Sequence, residues 1–133
     1  MANRWTTAEP VITAIIAALA GVDVVGWGWL PTHHGVYASL TWGPGDYVHN
    51  CNNDQDWQGQ INVRLAGPNS EKLLDVVDLL AVCFLGAANR ASLAAVSVPA
   101  LIAETSDPPI VFTSGKGNYI VDVLFSITIG KTY

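Results

Sequence analysis

The chain is short of charge. Of its 133 residues only 13% are Asp, Glu, Lys or Arg, against about a quarter in an ordinary soluble domain. Half of the residues are hydrophobic, which excludes an intrinsically disordered chain, whose composition runs the other way. So little charge predicts apolar surface left over for a partner or for copies of the same chain. Cations are the scarcest group. Arg4, Arg64, Lys72, Arg90, Lys116 and Lys131 are scattered, and the net charge is −5. With no basic block to replace phosphate counterions, direct DNA or RNA binding is not expected. Cysteine is scarce too. Cys51 and Cys83 do not make a secreted disulfide scaffold. One disulfide between them is conceivable, but Cys83 sits in an apolar helical run and reads as a buried free thiol. Long hydrophobic runs are missing as well. The run at 11–20 reaches a membrane-spanning length of ~20 residues only by taking in Gly21, Asp23, Gly26 and Gly28. Ala18-Leu19-Ala20 fits a signal-peptide cleavage pattern. Glu9-Pro10 directly before the run, and Arg4 as the only cation upstream, argue against that reading. No membrane partner is expected.

What is present fits one domain over residues 1–133. Thr6-Thr7-Ala8-Glu9 has the form of a capping box, with Pro10 in the first turn and a helix running to about Ala20, apolar on nearly every side. Residues 22–30 read as a strand with glycine kinks. Residues 36–42 alternate, with Val36, Ala38, Leu40 and Trp42 on one face. Gly43-Pro44-Gly45-Asp46 breaks the chain, and residues 50–56 form a polar loop. The next strand alternates cleanly: Trp57, Ile61, Val63 and Leu65 face inward, Gln58, Gln60, Asn62 and Arg64 outward. One wet face implies an antiparallel sheet. A second helix spans about Glu71 to Leu85, with Leu73, Val76, Val77, Leu80 and Phe84 as its apolar stripe and Gly86 and Asn89 to end it. Short β-like runs follow at 92–98 and 100–105, then a strand from Ile110, a turn at 115–118 and a last strand from Tyr119 to Ile129. The predicted class is α+β, an antiparallel β-sheet with two main helices packed on it.

Motifs that would carry chemistry are weak. His33, His34, His49 and Cys51 offer soft ligands of the kind zinc takes, with Asp54 or Asp56 as a fourth, but the spacing matches no standard zinc pattern. Asn52, Asp54 and Asp56 imitate a calcium loop that then fails at Trp57 and Val63, where Gly and Glu are required. Gly115-Lys116-Gly117 is not a phosphate loop, and no serine stands in a nucleophile elbow. No catalytic residue, cofactor or metal is expected. The five tryptophans, Trp5, Trp27, Trp29, Trp42 and Trp57, are a core and subunit interface in one reading. In the other, Trp27 and Trp29 form a sugar-stacking platform.

The order of elements resembles the tail terminator (tail completion) proteins of long-tailed bacteriophages over nearly the whole chain. The resemblance rests on the helix at 8–20, the hairpin near 36–65, the strand Gln60–Leu65 passing straight into the helix Glu71–Leu85, and the closing strand from Tyr119 to Ile127. It implies a homo-oligomer, a hexameric ring on the head-proximal end of the tail tube, located in the virion tail or neck after assembly in the host cytoplasm. The implied partners are the tube protein and a head-completion or neck protein. DNA passes through the ring without specific binding, and an acidic wall suits that passage. On this reading Trp42, Tyr47 and Trp57 are expected at the tube-contact surface, and Ile12, Ile16, Tyr119, Val121 and Phe125 between subunits. The alternatives are another neck or tail ring component, such as a head-completion or tube protein, and a secreted carbohydrate-binding module.

Overall fold

A computed structural model describes residues 3–28, 35–49, 55–104, 111–113 and 119–130. Helix α1 (Arg4–Ala17) starts a turn earlier than the sequence suggests. Asn3 is its cap instead of Thr6: Asn3 Oδ1 accepts from the Thr6 backbone N–H at 2.9 Å, and Thr6 Oγ1 accepts from the Asn3 N–H at 3.3 Å. Asn caps as well as Thr, and the earlier start puts Arg4 and Trp5 on the helix. Pro10 therefore lies inside the helix and not in its first turn. The carbonyl it leaves without a donor is that of Thr6, and both residues are exposed, so water can take the place of the bond. Ala8, Ile12, Ile15 and Ile16 are buried, while Thr6, Pro10, Ala14 and Ala17 face out. The helix thus buries one broad face and leaves a face of small residues uncovered.

After α1 come β1 (Val24–Trp27), β2 (Tyr37–His49), β3 (Gln55–Gly67), α2 (Ser70–Val82), α3 (Ala87–Ala94), β4 (Ala100–Ala103), β5 (Val111–Thr113) and β6 (Tyr119–Ile129). The strands form one sheet in the order β1-β2-β3-β6-β4, with β5 also paired to β6. The class is α+β as expected, with two corrections. The sheet is mixed, because β1 runs parallel to β2 from Val24↔Tyr37 to Trp27↔Leu40. The Asp23 carboxylate fixes that register by accepting from the Val36 N–H at 2.8 Å. There is also a third helix where 92–98 reads as β-like. Val96 and Val98, which lie beyond the helix, suggest a strand there, whereas Ala87, Ala88, Ala91 and Ala94 are strong helix formers. Asn89 Nδ2 donates to the Cys83 carbonyl at 2.7 Å, closing the end of α2 as its position suggests. The chain then reverses at Ser97, whose φ is +62°, and Ser97 O accepts from the Gly130 N–H at 2.7 Å.

The expected break at 43–46 is instead a bulge. β2 runs through it, shifting its register on β3 between Trp42 and Gly45. β3 and β6 pair along their whole lengths, from Trp57↔Ile129 to Gly67↔Tyr119. Directly paired residues share a face, so one side of the sheet carries Ala38, Leu40, Trp57, Ile61, Val63, Leu65, Val121, Phe125, Ile127 and Ile129, all buried. The buried side chains Leu73, Val76, Val77 and Leu80 of α2 close this core with Phe84, whose ring meets Phe125 edge-on at 5.3 Å. The opposite side, with Ser39, Thr41, Gln58, Gln60, Asn62 and Arg64, carries no helix among the described residues.

Trp57 is the keystone of the inner face. It is 7% exposed, and its indole lies where side chains at Gly45 and Gly59, which pair with each other, would have to be. The glycines are required here by close approach, not by backbone conformation. Gly59→Val should force the indole off its seat and destabilise the fold by about 1–3 kcal/mol, the usual effect of overpacking. Urea unfolding followed by tryptophan fluorescence checks this.

Candidate interaction surfaces

Four tryptophans stand at the hairpin end of the sheet. Trp5 meets Trp57 edge-on at 5.6 Å, Trp57 meets Trp42 edge-on at 5.8 Å, and Trp42 stacks on Trp27 at 5.0 Å with 22° between planes. Each polar end that the hydrogen bonds describe is engaged with α1: Trp27 Nε1 donates to Thr13 Oγ1 at 2.7 Å, and Trp42 Nε1 to Glu9 Oε1 at 2.8 Å. Arg4 finishes the ladder. Its Nη1 donates to the carbonyls of Gln55 (2.9 Å) and Ile129 (3.2 Å), and its guanidinium lies 5.7 Å from the ring centres of both Trp5 and Tyr47.

This geometry revises the expected site residues. Trp57 is core, not tube-contact surface, because Gly45 and Gly59 give it an interior seat. Trp42 is half-buried between Trp27 and Trp57. Tyr47 alone of the three is exposed, at 55%. Ile12, Ile16, Val121 and Phe125 are buried within the chain's own core and are not available as subunit contacts; Tyr119 is half-buried against that core. They were mistaken for interface because the amount of apolar sequence shows only that something must be covered, not by what. Trp27 is half-buried beneath Trp42, so it offers no open sugar platform; Trp29 lies outside the described residues. So do His33, His34, Cys51, Asn52, Asp54 and Lys116. His49 is exposed, with Nε2 3.3 Å from Gln55 Nε2, and no group of three metal-ligating side chains occurs among the described residues.

Two other surfaces went unread. The bare face of the sheet is polar. Arg64 binds Asp122 through two bonds of 2.8 and 3.1 Å, and Glu104 accepts from Gln60 Nε2 at 3.2 Å and Ser126 Oγ at 2.8 Å. The Asp122 hydrogen bond, and then its charge, hold the Arg64 guanidinium above its ordinary pKa. The pair is exposed, so it contributes little to stability. The second surface is apolar. Leu74, Leu79 and Val82 project from α2, off its buried stripe, and Leu85 (51% exposed) and Ile102 (55%) flank a groove of about 720 Å3 between α3 and the edge strand β4. Leu74 and Leu79 lie outside the 73–76–77–80 stripe in the sequence itself, and that was the signal to follow. Among the described residues no single helix is long and apolar enough to cross a membrane.

No family model matches the chain, and no curated protein matches it. Among solved structures it is similar to a chain in the virion of a native gene transfer agent particle, at 15% identity and a TM-score of 0.41, over 96% of this chain and 92% of that one.

Cys83 shows how dry the α2 end is. It is a buried free thiol, and burial pushes its pKa up to about 12. The unfolded thiol titrates near ~8.5, so the folded state holds the proton longer. The stability Cys83 contributes is therefore complete below about pH 8.5 and is lost as pH rises from there through about 12. The stability difference between the wild type and Cys83→Ala should narrow over that range, measured by urea unfolding at stepped pH.

Proposed function

We propose that this chain is a structural protein of a phage-like virion that closes the tail tube as a homo-oligomeric ring, six-fold by the resemblance of its sequence to tail terminators. The observation that carries the reading is where the unpartnered apolar side chains stand. Tyr47 and Val48 are exposed at the β2 edge of the sheet, and Val82, Leu85 and Ile102 at the β4 side. Two patches on opposite sides of one sheet favour a head-to-tail contact over a two-fold one. Pairing α2 with its own copy would also set the exposed Asp75 and Asp78 against like charges. A head-to-tail contact makes a ring when its rotation closes and a filament when it does not.

The function is one of shape. One face of the ring matches the last ring of the tube, the other does not match a further one, and growth stops. The free face then receives the head-side neck protein. DNA passes through the middle, and a subunit of net charge −5 gives it no counter-charge to hold. No residue needs to be catalytic in this reading.

Particles assembled without this chain should carry tubes of unregulated length and no joined heads, seen by negative-stain electron microscopy. Headed tails of normal length without it would overturn the reading. Native mass spectrometry of the purified chain should find a species of six times the chain mass, alone or after mixing with purified tubes.

A further inference from the structure

The ring reading leaves open which surfaces meet, and the register of the sheet answers it. β4 is the edge strand on one side: it pairs with β6 and with no other strand among the described residues. On the other side β1 covers β2 only from Tyr37 to Leu40, so among the described residues the stretch from Thr41 to His49 pairs with no strand there. Pro44 and the bulge blunt part of that free edge, since Pro offers no N–H. Gly45 to Val48 remain. Gly45 and Asp46 stand level with the start of β4, since Asp46 pairs with Gln58, Gln58 with Thr128, and Thr128 with Ala100, and Tyr47, level with Ile129, lies just past that start. The two free edges therefore occupy one row of the sheet, at its opposite ends.

Their chemistry is complementary as well. The groove beside β4 has apolar walls, including Leu85, Leu93 and Ile102, with Arg90 as its single charged residue and no acid. The free β2 edge presents Asp46 between the bulge and the exposed Tyr47 and Val48. The only ion pair among the described residues is Arg64–Asp122, so neither Arg90 nor Asp46 is paired within that set. We propose that the groove between α3 and β4 receives the β2 edge of a second copy of this chain, residues 45–48, with Tyr47 against one apolar wall and, from the other face of the strand, Val48 against the second and Asp46 meeting Arg90. This rests on the ring reading and deepens it. It moves Tyr47 from the tube contact to the contact between subunits. The same contact repeats around the ring, because each copy carries one groove and one free edge.

The test is a charge swap in the full chain, read by sedimentation velocity across a concentration series. Asp46→Arg and Arg90→Asp should each weaken self-association about 10-fold, and the double variant should recover most of it, the signature of direct coupling. Tyr47→Ser should weaken it without rescue by either. All three positions involved are exposed on the isolated chain, so folding is not at stake, and circular dichroism checks that. If the wild type associates but the single swaps change nothing, or the double variant is merely the sum of two losses, the seat is wrong while the ring stands. If the swaps leave self-association intact and abolish binding to purified tails, the groove belongs to another protein and the proposal falls. A wild type that stays monomeric at all concentrations, with and without tubes, overturns both the seat and the ring.

Discussion

Everything at the hairpin end of this molecule depends on one aromatic seat. The Trp57 indole lies over a glycine pair, Gly45 and Gly59, and from there it touches Trp5 of the first helix and Trp42 of its partner strand. An indole buried this way contributes a large apolar area and a defined edge-to-face geometry. It also links two levels of structure. The same residue anchors the register of β2 on β3 and the docking of α1 on both. Arg4 adds a polar tie, since one guanidinium reaches carbonyls of β3 and β6 at once. Take Trp57 away and the helix, the bulged hairpin and the closing strand lose their common point.

The opposite side of the sheet follows a different logic. Its polar row is held by short-range side-chain bonds, Arg64 to Asp122 and Glu104 to Gln60 and Ser126, and no helix covers it. The chain therefore has one dry face, one wet face and two edges of different character. Low overall charge fits this division: the interior buries no polar or charged residue among those described.

Much of the fold was legible in the sequence because period-two alternation in β3 and β6 and the stripe on α2 are clean signals. The β3 positions Trp57, Ile61, Val63 and Leu65 are buried as read, and so is the stripe from Leu73 to Phe84. The misses have physical causes. α3 was hidden because Leu93 is its single large apolar residue and its alanines carry little hydrophobic signal, while Val96 and Val98 just beyond it suggest a strand. β1 was placed as a strand, but nothing in a four-residue run fixes its direction. The break at Pro44 became a bulge because strand pairing resumes on the far side. The candidate surfaces were least legible. Counting apolar residues says how much must be covered, and only the packing shows that Ile12, Ile16 and Phe125 are covered from within while Leu85 and Ile102 are not.

The strand that joins the two parts of this sheet, β6, comes after all its described neighbours in sequence. β6 lies between β3 on one side and β4 and β5 on the other, so the sheet has no continuous middle until residues 119–129 arrive. During synthesis the first hundred residues carry most of the core but lack Val121, Phe125, Ile127 and Ile129, and β3 waits for its second neighbour. Pairing across so long a separation is slow, and partly built sheets of this kind are prone to stick to one another. The β4 edge takes its place in the sheet only when β6 pairs with it, so the groove beside it is completed late, after residues 119–129 have been made.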